Sequence, residues 1–116
     1  MKLRIINIFS LKDDANEEEF VKLLATEYAP LWRKIPGCLK VEILKNRWMH
    51  KSGPLASKNV YATTELWDSE ESMSNLMQIA AEGPQSEDVK RGKEILSRWH
   101  QYADHINLHT SVIHEE

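Results

Sequence analysis

The segment LRIINIFS, from Leu3 to Ser10, restricts this chain more than any other. Read with the two-residue period of a strand, it puts Leu3, Ile5, Asn7 and Phe9 on one side and Arg4, Ile6, Ile8 and Ser10 on the other. Apolar side chains on both sides require cover on both faces of a sheet. A chain of 116 residues with 41% hydrophobic content builds one core, so its own helices can cover only one of those faces. We therefore expect one domain over residues 1–116, with a second copy on the other face as an isologous homodimer.

The elements that follow are marked by their punctuation. Asn16 with Glu19 three residues later forms a capping box, and Phe20, Leu23, Leu24, Leu31, Trp32 and Ile35 continue at helical spacing until Pro36-Gly37 stops the helix. Pro30 lies inside this pattern and predicts a bend, because proline has no N–H and its ring crowds the carbonyl four residues back. Cys38, Leu39, Val41 and Ile43 open a second strand. The run HKSGPLASKN reads as a loop, and NVYATTELW as a third strand with Tyr61, Thr63, Glu65 and Trp67 on one face. Asp68 with Glu71 predicts the start of a second helix, carrying Met73, Leu76, Met77 and Ala80 and ending at Gly83-Pro84. A third helix capped near Ser86 presents Val89, Leu96, Trp99 and Ala103 to the core, and HINLHTSVIH closes the chain as a fourth strand. This order of elements is that of an α+β, ferredoxin-like antiparallel sheet with helices on one face.

Charge and composition exclude several classes of function. Fifteen basic and 18 acidic residues give a net charge of −3, so no overall positive field draws in nucleic acid or an anionic membrane, and no partner of either kind is expected. Trp32, Trp48, Trp67 and Trp99 hold core-like positions and are not interleaved with a basic stripe. No apolar run reaches the ~20 residues of a membrane span. The single Cys38 excludes an internal disulfide, which fits a reducing, cytoplasmic location. With only 4 glycines there is no phosphate-cradling loop, and no nucleophile elbow is present. His105 and His109 share a strand face but stand about 13 Å apart at ~3.3 Å per residue, too far for one metal ion. We expect neither a metal nor an organic cofactor.

PGCLKVEIL, where a helix ends in Gly-Cys before a strand, and YATTELWDSEES, where a strand ends in Glu-x-Trp before a capped helix, resemble the dimeric α/β-barrel superfamily. Within it, the resemblance is to the antibiotic-biosynthesis-monooxygenase-like members. It implies a pocket between sheet and helices, and an activity drawn from a set that includes quinol-forming oxygenases, haem-degrading enzymes and members without known activity. Asn7 and Trp67 resemble the asparagine and tryptophan lining the pocket of the haem-degrading branch. Both enzymatic branches commonly carry a histidine on the helix after the tryptophan, where this chain has Ser74, Asn75, Leu76, Met77 and Gln78. Haem binding or degradation through such a ligand is therefore not expected.

Five side chains form the candidate site. Asn7, set among Leu3, Ile5 and Phe9, would hydrogen-bond a substrate oxygen. Glu65 or His109 would take a proton, a carboxylate in an apolar pocket having a raised pKa, while Tyr61 and Trp67 would hold an aromatic ring. Each has a structural alternative: a satisfied core amide for Asn7, a salt-bridged glutamate for Glu65, an edge or interface histidine for His109, and core filler for Trp67. The functional reading is a cofactor-independent monooxygenase acting on a small aromatic or polycyclic molecule. The alternative is a non-catalytic dimeric barrel that binds an apolar ligand or serves a structural role.

Overall fold

A computed structural model describes residues 1–45, 60–83, 86–112 and 114–115, with the side chains of 82 and 105–109 outside that description. The expected loop at 50–59, Trp48 and Pro84 lie outside the described residues. Four antiparallel strands, β1 (Leu3–Leu11), β2 (Cys38–Lys45), β3 (Val60–Trp67) and β4 (Ala103–Ser111), form one sheet in the order β2-β3-β1-β4. The helical segments α1 (Glu17–Leu23), α2 (Ala29–Arg33), α3 (Glu70–Glu82) and α4 (Glu87–Tyr102) connect them. This is the ferredoxin-like arrangement, with two helices where the simplest version has one.

The register of the central pair decides which residues meet the helices. Leu3, Ile5, Asn7 and Phe9 of β1 stand opposite Trp67, Glu65, Thr63 and Tyr61 of β3, and all eight are buried. The other side of β1 is different: Ile8 is 36% exposed and Leu44 of β2 is 44% exposed, so the described chain covers its sheet once. On the helix side, Phe9, Phe20, Leu24, Tyr61, Ile95 and Trp99 belong to one apolar cluster, while Leu3, Ile5, Cys38 and Trp67 form a second.

Asn16 caps α1 as expected, its Oδ1 accepting the Glu19 N–H at 3.0 Å. At Pro30 the regular α-helical ladder is interrupted. The turn before it widens to a π-helical segment, Leu24–Tyr28, closed by the Ala29 N–H on the Leu24 carbonyl. The wider ladder carries the helix past a residue that has no N–H to give, and α2 resumes with proline in its first turn. The bidentate pair of Arg98 with Glu27, at 3.0 and 2.8 Å, ties this widened turn to α4.

Three expectations at element ends are corrected. The cap of α3 is Ser69, not Asp68: Ser69 Oγ accepts the Ser72 N–H, and Asp68 instead accepts the hydroxyls of Ser69 and Ser72. Ala103 opens β4 and does not belong to α4, so β4 begins two residues before the expected start. On α4, Ile95 and Trp99 enter the core while Leu96 is 36% exposed, a rotation of one residue in the apolar stripe. Ser86 does cap α4, accepting the Val89 N–H at 3.2 Å.

Gly37 follows α2 with φ at +94°, and its carbonyl accepts the Asp68 N–H at 2.8 Å. A Cβ there would stand 2.5 Å from Ser72 Cβ. Gly37→Ala combines a left-handed backbone with a clash against α3 and should cost about 2 kcal/mol or more. Urea denaturation is expected to show a lower midpoint with an unchanged slope.

Candidate active site

A polar row crosses the helix-facing side of the sheet between the two apolar clusters. Thr63 is fully buried, Glu65 is 4% exposed and Asn7 is 7% exposed. Burying such groups unsatisfied would cost roughly 1 to 3 kcal/mol each, and here they satisfy one another. Asn7 Nδ2 donates to Thr63 Oγ1 at 2.9 Å. Thr63 also acts on the Tyr28 phenol, lowering its pKa against the larger upward causes. Tyr28 then donates to Glu65 Oε2 at 2.7 Å, and Trp67 Nε1 donates to Glu65 Oε1 at 3.1 Å.

Two donors aimed at one carboxylate favour its ionised form against the penalty of burial. The charge is felt by its neighbours. Burial first, then the Glu65 charge, raises the Tyr28 phenol well above its ordinary value, so it stays a protonated donor. Burial, again followed by Glu65, pushes the Cys38 thiol up to about 11.

Above this row lies a cavity of about 680 Å³. Ile5, Asn7, Tyr28 and Glu65 contribute to its inner surface, Trp32 and Trp99 are aromatic walls, and residues of α3 and α4 form the sides. Tyr28 packs between the two tryptophans, with ring centroids 4.8 Å from Trp32 and 5.1 Å from Trp99. Gly92 on α4 lets Trp32 approach: a Cβ there would meet the indole at 3.4 Å. Met77, Ile79 and Leu96 are lining residues that remain exposed, and Asp68, Lys34, Asp88 and Lys93 add charge around them. The interior is thus apolar and aromatic, with polar groups concentrated on the sheet. Among the described residues no three His, Cys, Asp or Glu side chains gather as a metal site. None of the described helices is long and apolar enough to cross a membrane.

The five sequence-predicted residues are distributed unevenly. Asn7 and Glu65 both face the cavity. Trp67 does not: it pairs with Leu3 and Cys38 at the far end of β3, is fully buried, and reaches the site only through its hydrogen bond to Glu65. Tyr61 also stands away from the cavity, because it stacks on Phe9 and its hydroxyl donates to Glu17, which Lys45 also contacts. His109 falls in β4 in register with Ile5, and its side chain lies outside the described residues. Tyr28, Trp32 and Trp99 take the aromatic role in the cavity. Tyr28 was legible in the sequence, four residues after Leu24 and three before Leu31 on the same apolar stripe.

Residues 3–79 match a family described as antibiotic biosynthesis monooxygenase. No curated protein matches the sequence. Among solved structures, SnoaB of Streptomyces nogalater, a cofactor-independent oxygenase, superposes with a TM-score of 0.70 at 12% identity, covering 98% of this chain and 95% of that one. An Arabidopsis thaliana protein gives 0.66 at 13% identity over 98% and 90%. A conserved protein of Methanosarcina mazei Go1 gives 0.62 at 16% over 95% and 91%. At such identities these likenesses establish the fold.

The raised thiol yields a signed prediction. Cys38 holds its proton more tightly folded than unfolded, so its contribution to stability is complete below about pH 9 and is lost as pH rises through about 11. Being 3% exposed, Cys38 should react with Ellman's reagent at pH 8 only as fast as the chain opens, and immediately in denaturant.

Proposed function

The chain belongs to the antibiotic biosynthesis monooxygenase family, and from that premise we propose that it oxygenates an electron-rich aromatic or polycyclic molecule without an organic cofactor. The observation that carries this reading is the convergence of Asn7 and a doubly held Glu65 on an otherwise apolar cavity. A purely structural barrel would fill that space with side chains.

In this reading the ring lies in the cavity against its aromatic and apolar wall, and Asn7 hydrogen-bonds a substrate oxygen with the amide groups left over from Thr63. Glu65 removes a proton from a phenol or the acidic ring CH2 of its keto tautomer. The resulting anion passes one electron to dioxygen, and the radical and superoxide combine to a peroxide. Glu65 returns its proton to the peroxide, then takes the remaining C–H proton as the C=O forms and the O–O bond breaks, and passes that proton to the departing hydroxide as water. For a ring CH2, the balance is CH2 plus O2 giving C=O plus H2O, with all four electrons supplied by the substrate. Preorganised donors around the charge are the protein's contribution.

The other reading, a non-catalytic carrier of an apolar ligand, is favoured by one fact: both Glu65 oxygens already accept a hydrogen bond. Oxygen uptake separates the two. With hydroquinone, 1,4-naphthohydroquinone and quercetin as a panel, at least one should be consumed faster than in buffer. Glu65→Gln should lower kcat by about 10²- to 10⁴-fold. Asn7→Leu should abolish turnover while costing only about 1 kcal/mol of stability, the worth of its bond to Thr63. Binding of a panel member without oxygen uptake would move the assignment to the carrier.

We also propose that a second copy covers the open face, where Ile6, Ile8, Leu44, Val60, Ala62 and Leu66 present apolar surface. Sedimentation equilibrium at micromolar concentration should give twice 13.5 kDa. Ile8→Asp should shift the equilibrium toward monomer, and a parent chain that stays monomeric refutes the assembly.

A further inference from the structure

Glu65 is too deeply buried to keep its geometry without help, and the structure shows where the help originates. Trp67 and Tyr28 both donate to its carboxylate, and Trp67 stands behind the cavity, outside its lining. Tyr28 is different: its residue lines the cavity, is 1% exposed, and reaches Glu65 at 2.7 Å from another layer of the protein. Its ring is held by Trp32 and Trp99, leaving little freedom to turn away. Its oxygen also meets Thr63, whose hydroxyl is tied to Asn7. The two residues that face a ligand, Asn7 and Glu65, are thus held by Thr63 and Tyr28 respectively, and Thr63 acts on the Tyr28 phenol.

We propose that Tyr28 is the positioning residue of this site, holding the Glu65 carboxylate toward the cavity as the ionised base and coupling it to the Asn7 end of the site. Its catalytic meaning rests on the oxygenase reading above; the coupling itself does not. The helix widening at Leu24–Tyr28 ends at this side chain, and the Glu27–Arg98 pair anchors the same turn to α4. The site therefore depends on how the first helix, Glu17–Arg33, is seated on the sheet. A hydrogen bond donated to a carboxylate favours its charged form, so removing the donor moves proton release to higher pH.

The test is Tyr28→Phe, which deletes one oxygen and keeps the ring between Trp32 and Trp99. With carboxyl-13C glutamate, the Glu65 resonance of the ligand-free protein should titrate about one pH unit higher in the variant than in the parent. Tyr102→Phe, whose ring packs on Phe20, serves as a control and should leave that midpoint unchanged. If a panel member is turned over, kcat should fall at least tenfold with KM within about twofold, and the acid limb of the kcat/KM profile should move up with the Glu65 midpoint. A Glu65 midpoint unchanged by Tyr28→Phe, in a variant whose near-UV circular dichroism shows an intact aromatic core, overturns the proposal. A shifted midpoint in a protein that consumes oxygen with no panel member upholds the coupling and counts against the oxygenase reading instead.

Discussion

The hydrogen bond from Tyr28 to Glu65 is the interaction around which the rest of the structure is arranged. A carboxylate 4% exposed in the middle of a sheet is costly unless donors satisfy it, and its own strand supplies the indole of Trp67. Tyr28 adds a donor from the helical layer, which ties the height and rotation of the first helix, Glu17–Arg33, to β3. The widened turn before Pro30 and the Glu27–Arg98 pair both lie at that place. They hold the segment that carries the donor.

The same arrangement explains why a cavity exists. Trp32, Tyr28 and Trp99 are large groups at the junction of the first helix with α4, and they pack on one another through ring contacts of 4.8 to 5.1 Å. α3 approaches the sheet at its other end, over Leu3, Cys38 and Trp67, through Met73 and Leu76. None of the described α3 side chains is fully buried. Between these two packed regions the sheet displays its polar row, and filling the space with apolar side chains would leave that row against hydrocarbon. The cavity and the buried hydrogen bonds are two aspects of one packing problem.

Family membership and physical reading support each other at different levels. The match over residues 3–79 covers β1 to β3, the first helix and most of α3, and so the elements that carry Asn7, Tyr28 and Glu65. Structural likeness at 12 to 16% identity speaks to that architecture and not to a substrate. What distinguishes this chain is the wall: α3 offers Met73, Leu76 and Met77 to the cavity where the resembled branches place a histidine.

Much of this was written in the chain. The two-residue period of β1 and β3 determined which residues share a face, because alternation in a strand leaves each side chain only two directions. The caps at Asn16 and Ser86 and the stop at Pro36-Gly37 placed helix ends through local hydrogen bonding and backbone geometry, which need no tertiary partner. Asn7 and Glu65 were legible for the same reason: polar residues in an apolar register demand an explanation. Whether a residue on the buried face meets a cavity or a neighbour depends on the other layer, and no strand period carries that information. Trp67 and Tyr61 share the register of Glu65, yet packing at the two ends of β3 takes them out of the cavity, while Tyr28, from a helix 37 residues away in sequence, comes to within 2.7 Å of the carboxylate. The sequence determined which side chains face inward; only the seating of the helices on the sheet decided which of them meet, because the height and rotation of one layer over another are set by the packing of many side chains at once.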